Sequence, residues 1–458
     1  MPVWSIVKVS ELEGAKRLDA EYYHPKYQID FSRGSWVALG DLVQMCQYGI
    51  SQAMTEEHIG YPIFRMDDIK NAFLVDDEVK YIQIPDSVFN KYRLEAQDIL
   101  FNRVNSEEFV GRTGIFKLSG DYVFASYLIR VRIRPNSPLL PDYLNVFLNC
   151  AFGVKQIRKL SRRAVNQANV NAEELKSIRI AVLALREQQE VKRLCDESFA
   201  EFENSKSLYV QAERMLLEAI GWDQLHLAQP KSWRMPLSRA REIRRLDAEH
   251  FQPKYDKLVN HLVKTGRAKP LGDIATYIKR GLQPRYVEGG NVLVINSRYV
   301  SKRLIDTEHA ERTDEAFWHE SARAQARKYD VIMNSTGWGT IGRTNCVLHD
   351  QKTVVDNHVA IIRVKEGACN PIYLAVYLNS KPGLMQTDKW LSGSSGQIEL
   401  YPSDIARFLL YVPSAEFQQK VAHLVGQSYR AREKAKALLE QAKGNVEALV
   451  ESGARRAP

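Results

Sequence analysis

The chain says one thing twice. Arg17-Leu18-Asp19-Ala20-Glu21-Tyr22-Tyr23-His24-Pro25-Lys26-Tyr27 returns as Arg245-Leu246-Asp247-Ala248-Glu249-His250-Phe251-Gln252-Pro253-Lys254-Tyr255, with eight of eleven positions identical. The offset, 245 − 17 = 228 residues, is far beyond the roughly 20–50 residues of a solenoid repeat. Ordered matches continue along the chain. Leu39-Gly40-Asp41-Leu42 pairs with Leu271-Gly272-Asp273-Ile274, and Asp98-Ile99-Leu100-Phe101-Asn102 with Asp330-Val331-Ile332-Met333-Asn334. Gly111-Arg112-Thr113 pairs with Gly342-Arg343-Thr344, Pro141-Asp142-Tyr143-Leu144 with Pro371-Ile372-Tyr373-Leu374, and Gln188-Gln189 with Gln418-Gln419. The 458 residues therefore hold two copies of one structural unit, each large enough for its own core.

Each copy reads as a mixed α/β globule followed by a long helix, an α+β class. Short apolar runs predict strands at Tyr61–Phe64, Asp98–Phe101 and Tyr127–Ile133, then at Val292–Ile295, Asp330–Met333 and His358–Val364. Three- and four-residue apolar spacing predicts helices over Tyr143–Lys159 and Tyr373–Lys389. From Arg186 to Ile220 there is neither proline nor glycine. Positions 191, 195, 198, 202, 205, 209, 212, 216 and 219 form a 4-3 seam there, and adding 230 gives the same seam from 421 to 449. Small residues on the seam (Ser198, Ser205, Ala212; Ser428, Ala435, Ala442) suit a close helix–helix approach. About 35 helical residues make a rod of roughly 50 Å. The simplest assembly packs two such helices antiparallel through Val191, Phe202, Tyr209, Leu216, Val421, Val425, Leu439 and Val446; the alternative packs each helix only on its own globule. Gly221, Pro230 and Pro236 punctuate the join between the copies.

A net charge of +9 leans toward a polyanionic partner, as it does in many proteins with no such role. Two similar domains in one chain suit a ligand with two similar halves, of which duplex DNA is the commonest. Five scattered cysteines without zinc-site spacing fit a reducing cytoplasm. No leader-like segment or run of about 18 apolar residues stands out, which predicts a soluble, cytoplasmic protein with no membrane partner.

Familiar chemistry is scarce. Gly337-Trp338-Gly339-Thr340-Ile341-Gly342 matches a dinucleotide fingerprint, but that site needs a helix next, and Arg343–Leu348 reads as a strand. A hairpin loop is the better reading, with Trp338 at its tip facing sugar or base. No phosphate-binding P-loop and no Asn-Pro-Pro-Tyr type methyltransferase motif is present. Asp67, Asp68, Asp76 and Asp77 read as a solvated loop rather than a metal nuclease site, and His250 and His358 as structural. The reading assigns no catalytic residue, metal or cofactor.

In its order of motifs the chain resembles the specificity (S) subunits of type I restriction-modification systems. The resemblance rests on Leu18-Asp19-Ala20-Glu21-Tyr22-Tyr23 and its copy, on the Leu-Gly-Asp step, and on Tyr329-Asp330-Val331-Ile332-Met333-Asn334. It rests above all on Ser392-Gly393-Ser394-Ser395-Gly396-Gln397, leading through Leu400 and Ile405 to Tyr411-Val412-Pro413 and Gln418-Gln419. The first half departs from this, with Ser161-Arg162-Arg163-Ala164-Val165-Asn166-Gln167 in place of the Ser/Gly-rich loop and Leu183-Ala184-Leu185 in place of a proline before the helix.

The resemblance implies target recognition domains at 1–185 and 222–413, each followed by a spacer helix, at 186–221 and 414–458. It implies a bipartite double-stranded DNA target, methyltransferase (modification) subunits as partners, two of them, restriction or translocase subunits joining that core, and no catalysis by the chain itself. Candidate phosphate and base contacts in the first half are Arg103, Lys155, Arg158, Lys159, Arg162, Arg163 and Gln167. In the second they are Arg280, Gln283, Arg285, Asn296, Arg298, Lys302, Trp338, Ser394 and Gln397, with Lys279 and Arg303 nearby. Arginine, asparagine and glutamine offer bidentate bonds to guanine or adenine edges, while basic side chains meet phosphate. The rival readings are a diverged DNA methyltransferase or nuclease and a protein-only scaffold. Target sequence and gap length are not encoded legibly.

Overall fold

The computed structural model describes the chain apart from residues 1–3, 16, 33, 165–166, 228–229, 394–397 and 457–458. The chain folds into two compact units, Met1–Phe202 with Glu433–Pro458, and Glu203–Arg432. Both are mixed α/β. Among the described residues, no helix is long and apolar enough to cross a membrane.

In the first unit a six-stranded sheet carries the order Val43–Tyr48, Leu128–Ile133, Ile99–Asn102, Thr113–Ile115, Phe73–Leu74, Ile69–Lys70. A smaller sheet joins Val123–Phe124, Tyr61–Phe64 and Lys80–Ile82. In the second unit the strand Val359–Val364 lies between Ala275–Arg280 and Val331–Asn334, with Thr344–Cys346 outside. A second sheet there runs Glu311–Thr313, Val292–Ile295, Thr353–Val355, Gln325–Ala326. The central strands are apolar on both faces, and Ile99, Leu100, Phe101, Val331, Ile332 and Met333 are completely buried.

The recurring sequence words are framework bonds. Asp98 is buried and accepts from Arg132 Nε and Nη2 at 2.7 and 2.8 Å and from the Glu95 amide at 2.9 Å. Asp330 does the same with Arg363 at 2.8 and 2.6 Å and the Arg327 amide at 2.8 Å. Each carboxylate thus closes the turn before its own strand. Tyr143 Oη donates to the Ala181 carbonyl and Tyr373 Oη to the Tyr411 carbonyl, both at 2.6 Å. Arg17 pairs with Asp19 at 2.6 and 2.5 Å and donates to the Leu160 carbonyl at 2.9 Å. Arg245 pairs with Asp247 at 2.8 and 2.7 Å and donates to the Leu391 carbonyl at 2.5 Å. In both places a guanidinium meets carbonyls left over at a helix C-terminus, where positive charge is favoured.

Each helix expected as a single rod is two. Pro141–Asn149 and Ala151–Leu160 meet at Cys150, and Pro371–Asn379 and Lys381–Trp390 meet at Ser380, where ψ is 172° and 166°. The second helix of each pair crosses so tightly that a Cβ on Gly153 would lie 2.2 Å from the Phe147 carbonyl oxygen, and one on Gly383 2.4 Å from those of Tyr377 and Leu378. The apolar periodicity continues through the corner, which is why spacing alone runs the two helices together.

The long helices are Leu185–Ile220 and Ala415–Arg456. Val191, Cys195, Ser198, Phe202, Ser205, Tyr209, Ala212 and Leu216 are buried, as are Val421, Ser428, Ala435, Leu439, Ala442 and Val446, while Val425 is half-buried. The stripe ends one residue later than the 4-3 spacing places it, on Ile220 and Val450 rather than 219 and 449. A helix of 3.6 residues per turn drifts by about 20° per heptad against a 3.5-residue repeat. In the first unit Leu439, Ala442, Val446 and Val450 join the core with Val191, Leu194 and Cys195; in the second, Val421 joins it with Tyr209, Ala212, Leu216 and Ile220.

The corner and the long helix make opposite predictions for glycine. Gly383→Ala should cost about 1–3 kcal/mol through the forced clash. Gly444→Ala, in the long helix with nothing within 4 Å of the added methyl, should stabilise by roughly 0.5–1 kcal/mol. Urea denaturation of the two variants checks this, and a shared sign would contradict the tight corner.

Candidate nucleic-acid interface

In each unit three adjacent antiparallel strands end together at one rim. In the first, Tyr48 closes one strand opposite Ile129, Asn102 closes another opposite Leu128, and Ser126-Tyr127 forms the turn between them. Gly49 is required there, because a Cβ would lie 2.3 Å from the Phe124 carbonyl oxygen and 2.4 Å from that of Ala125. Arg103, just past Asn102, lays its guanidinium 5.0 Å from the Tyr48 ring centre and donates from its amide to the Tyr127 carbonyl at 3.1 Å.

The second unit builds the same rim with the charges exchanged between strands. Arg280 pairs opposite Ala360 and Asn334 opposite Val359. Gly281 meets the Val355 carbonyl oxygen, 1.9 Å from an added Cβ. The Ser335 amide donates to the His358 carbonyl at 2.8 Å. The arginine now comes from the outer strand: Arg280 packs 5.1 Å from the Tyr401 ring centre, pairs with Glu399 at 3.3 Å and donates to the Leu400 carbonyl at 3.1 Å. Arg103 Nε and Arg280 Nε are both buried without an acceptor among the described residues. Each rim thus presents an arginine on a tyrosine, flanked by exposed Tyr127 in the first unit and exposed His358 in the second.

The other candidates differ in how firmly the fold holds them. Arg158 donates to the Glu108 carbonyl at 3.0 Å, Arg162 to Glu174 at 2.7 Å, and Arg163 pairs with Glu107 at 2.7 Å. Lys159 sits 4.8 Å from the Tyr22 ring centre, and burial lowers its pKa. The basic run before Gln167 is therefore partly a structural net, with Lys155 and Gln167 exposed beside it. In the second unit Arg285 is held by Asp314 at 3.1 Å, and Asn296 accepts from the Arg298 amide at 3.0 Å as a turn cap. Lys279, Gln283, Arg298 and Lys302 are exposed, and so is Trp338 at 78%. Ser394 and Gln397 lie outside the described residues.

The loop of Trp338 is the hairpin turn predicted. It leads into the strand Thr344–Cys346, with left-handed φ of 96°, 79° and 83° at Gly337, Gly339 and Gly342. Two readings of acidic and histidine residues change. Asp68 is no solvated group but a buried cap accepting from the Arg65 amide at 2.7 Å, because the turn needs its carboxylate. His250 is buried and bonded to the Lys389 carbonyl at 2.7 Å, whereas His358 is exposed and bonded to Thr336 Oγ1 at 2.6 Å. Tyr48, Tyr127, Glu399 and Tyr401 enter the rims unannounced by sequence. The equivalence of Tyr48-Gly49 with Arg280-Gly281 was the available signal.

Asp356 supports the turn that carries His358, accepting from the His358 amide at 2.9 Å. Burial pushes its pKa up to about 6, against the opposing pull of that amide and of His358. A folded-state pKa above the ordinary 3.8 favours the protonated form, so the stability it contributes is full below pH 4 and is lost as pH rises through 6. Asp356→Asn carries no such charge. Its stability relative to the parent should therefore rise by about 1–3 kcal/mol between pH 4 and pH 7, read as thermal midpoints across that range; a constant difference would show the carboxyl to be solvated.

The family model for the type I restriction modification DNA specificity domain matches residues 35–208. Among curated proteins, one described as a type I restriction enzyme MjaX specificity subunit, from Methanocaldococcus jannaschii, is 30% identical over 158 residues, 34% of this chain and 37% of that protein. The EcoKI specificity subunit of Escherichia coli K12 is 25% identical over 155 residues, 33% of each chain. The chain thus aligns with about a third of the length of these relatives. Among solved structures, a type I restriction-modification S subunit from M. genitalium covers 94% of this chain, and 98% of its own length is covered, at 13% identity and a TM-score of 0.39. The HsdS subunit of Thermoanaerobacter tengcongensis covers 92%, with 96% of its own length covered, at 14% identity and a TM-score of 0.27.

Proposed function

Residues 35–208 match the model of the type I restriction modification DNA specificity domain, and from that premise we propose that the whole chain is the DNA-specificity subunit of a type I restriction-modification complex. One observation carries the extension to the second half: the framework bonds of residues 35–208 recur at an offset of 230–232 residues. On this reading 1–185 and 222–413 are two target recognition domains, and 186–221 and 414–458 are spacer helices packed antiparallel. The register supports that direction. Ser198 Oγ donates to the Ala435 carbonyl and Ser428 Oγ to the Ser205 carbonyl, both at 2.7 Å, and 198 + 435 equals 205 + 428.

The two domains read the two parts of a split duplex sequence. Basic side chains such as Lys155, Arg298 and Lys302 meet phosphate and set register, while rim and loop side chains such as Gln167, Gln283 and Trp338 meet the bases. Tethering makes the second contact effectively intramolecular, so affinity depends on the gap matching the spacer. The chain supplies recognition, and base chemistry is left to partner subunits.

We assign the docking of two methyltransferase subunits to equivalent places on the two units. Each unit has a groove at the start of one long helix: about 900 Å3 along Arg186, Gln189, Glu190, Val191 and Leu449, and about 560 Å3 along Met215, Glu416, Gln419, Lys420 and Leu424. Gln189/Gln419 and Glu190/Lys420 are equivalent at 230, as expected for two copies of one partner. Leu449→Glu should leave a complex with one methyltransferase subunit in place of two, by native mass spectrometry. An unaltered stoichiometry would move docking elsewhere.

The decisive test is base-resolved methylation mapping in cells carrying the chain and its methyltransferase, against a deletion of the chain alone. A split motif that disappears on deletion supports the reading; unchanged methylation, with the partner active, favours a protein scaffold. Four residues inserted beside Ser205 should change or abolish the recognised gap, and an untouched gap would sink the spacer role.

A further inference from the structure

We propose that Trp338 is a wedge that enters the base stack of the DNA half-site read by the second unit, and that the first unit has no equivalent. This rests on the specificity reading above and adds a physical mode of contact to it.

The indole is 78% exposed, although a ring of that size ordinarily buries most of its surface. Its loop is braced against folding back. Ile341 donates from its amide to the Gly337 carbonyl at 3.0 Å, Gly342 to the Asn334 carbonyl at 2.8 Å, and Asn334 Nδ2 to the Thr340 carbonyl at 3.2 Å. Asn334 Nδ2 also reaches the Ser297 carbonyl at 2.8 Å, which ties the Trp338 loop to the turn bearing exposed Arg298. Left-handed backbone at Gly337 and Gly339 holds the tryptophan between two residues that carry no side chain to shield it. The product is a stiff apolar projection on a loop braced to a turn that carries a cation, a combination suited to unstacking a base step while holding a nearby phosphate.

The first unit differs at this point. Its loop from Arg103 to Gly111 carries Glu107 and Glu108, Glu107 is paired with Arg163, and the Glu108 carbonyl accepts from Arg158. Carboxylates repel phosphate and cannot stack, and the aromatic of that loop, Phe109, is half-buried with the Arg112 guanidinium 4.0 Å from its ring centre. Two halves of common framework would therefore hold their half-sites differently, one with a distorted step and one without.

The test uses the complete complex with its methyltransferase subunits and a duplex bearing the target found by methylation mapping. 2-Aminopurine is placed in turn at each purine of both half-sites and their flanks, and its fluorescence and the affinity are followed. With Trp338 present, a fluorescence rise is expected at one step of a single half-site, apart from the base that the methyltransferase flips. Trp338→Ala should abolish that rise and weaken binding by about 10-fold, within the range of one lost base–aromatic stack, while Trp338→Phe keeps most of both. An unchanged pattern with affinity within about twofold would overturn the wedge. So would a Trp338→Ala complex that binds DNA normally but loses methyltransferase, since the ring would then be a protein contact. If the parent complex shows no selective binding to the duplex, the specificity reading itself fails, and the wedge with it.

Discussion

The side-chain amide of Gln188, and of Gln418 in the second half, is the joint on which the rest of each unit turns. Gln188 is completely buried at the start of its long helix; it accepts from the Leu140 amide at 2.8 Å and donates to the Pro138 and Leu183 carbonyls at 2.8 and 2.9 Å. Gln418 accepts from the Asn370 amide and donates to the Pro413 carbonyl, both at 2.8 Å. One amide thereby ties three chain segments: the loop entering the helix corner, the last loop of the globule, and the long helix. Such a buried amide is stabilising only when every bond is made, which gives it directional force that apolar packing lacks.

From that joint outward the framework is the same in both units and the surfaces are not. The carboxylates of Asp98 and Asp330, the tyrosines 143 and 373, and the clasps at Arg17 and Arg245 hold strands and helices in matching relations. At the rims the same notch is filled by an arginine from a different strand in each unit, Arg103 or Arg280. The arginine of a rim is anchored at the rim itself, Arg280 on the Leu400 carbonyl and Arg103 on the Tyr48 ring, so either strand can supply it. A buried carboxylate that closes a turn has no such latitude.

Several basic residues that look like phosphate contacts in sequence have structural employment. Arg162 and Arg163 are neutralised by Glu174 and Glu107, and any contact with DNA must first exchange those partners. Exposed charge without an ion pair is the better marker of a polyanion surface, and sequence spacing cannot reveal it, because the carboxylates come from elsewhere in the chain. The rim tyrosines were hidden for the related reason that they sit at strand ends, where an apolar-run pattern stops.

The sequence by itself determined the duplication, the strand-forming runs, the two long helices and the hairpin nature of the Trp338 loop. All of these follow from local spacing and from residues compared within one chain. Tertiary structure decided where the apolar period breaks. Cys150 and Ser380 turn each expected helix into a pair, and the seam slips to Ile220 and Val450. It also decided which polar residues are occupied, from the buried cap at Asp68 to the exposed His358. Periodicity records which face of a segment is apolar. Which carbonyl or carboxylate comes to meet a given side chain depends on residues far away in sequence, and only the packed chain brings them together.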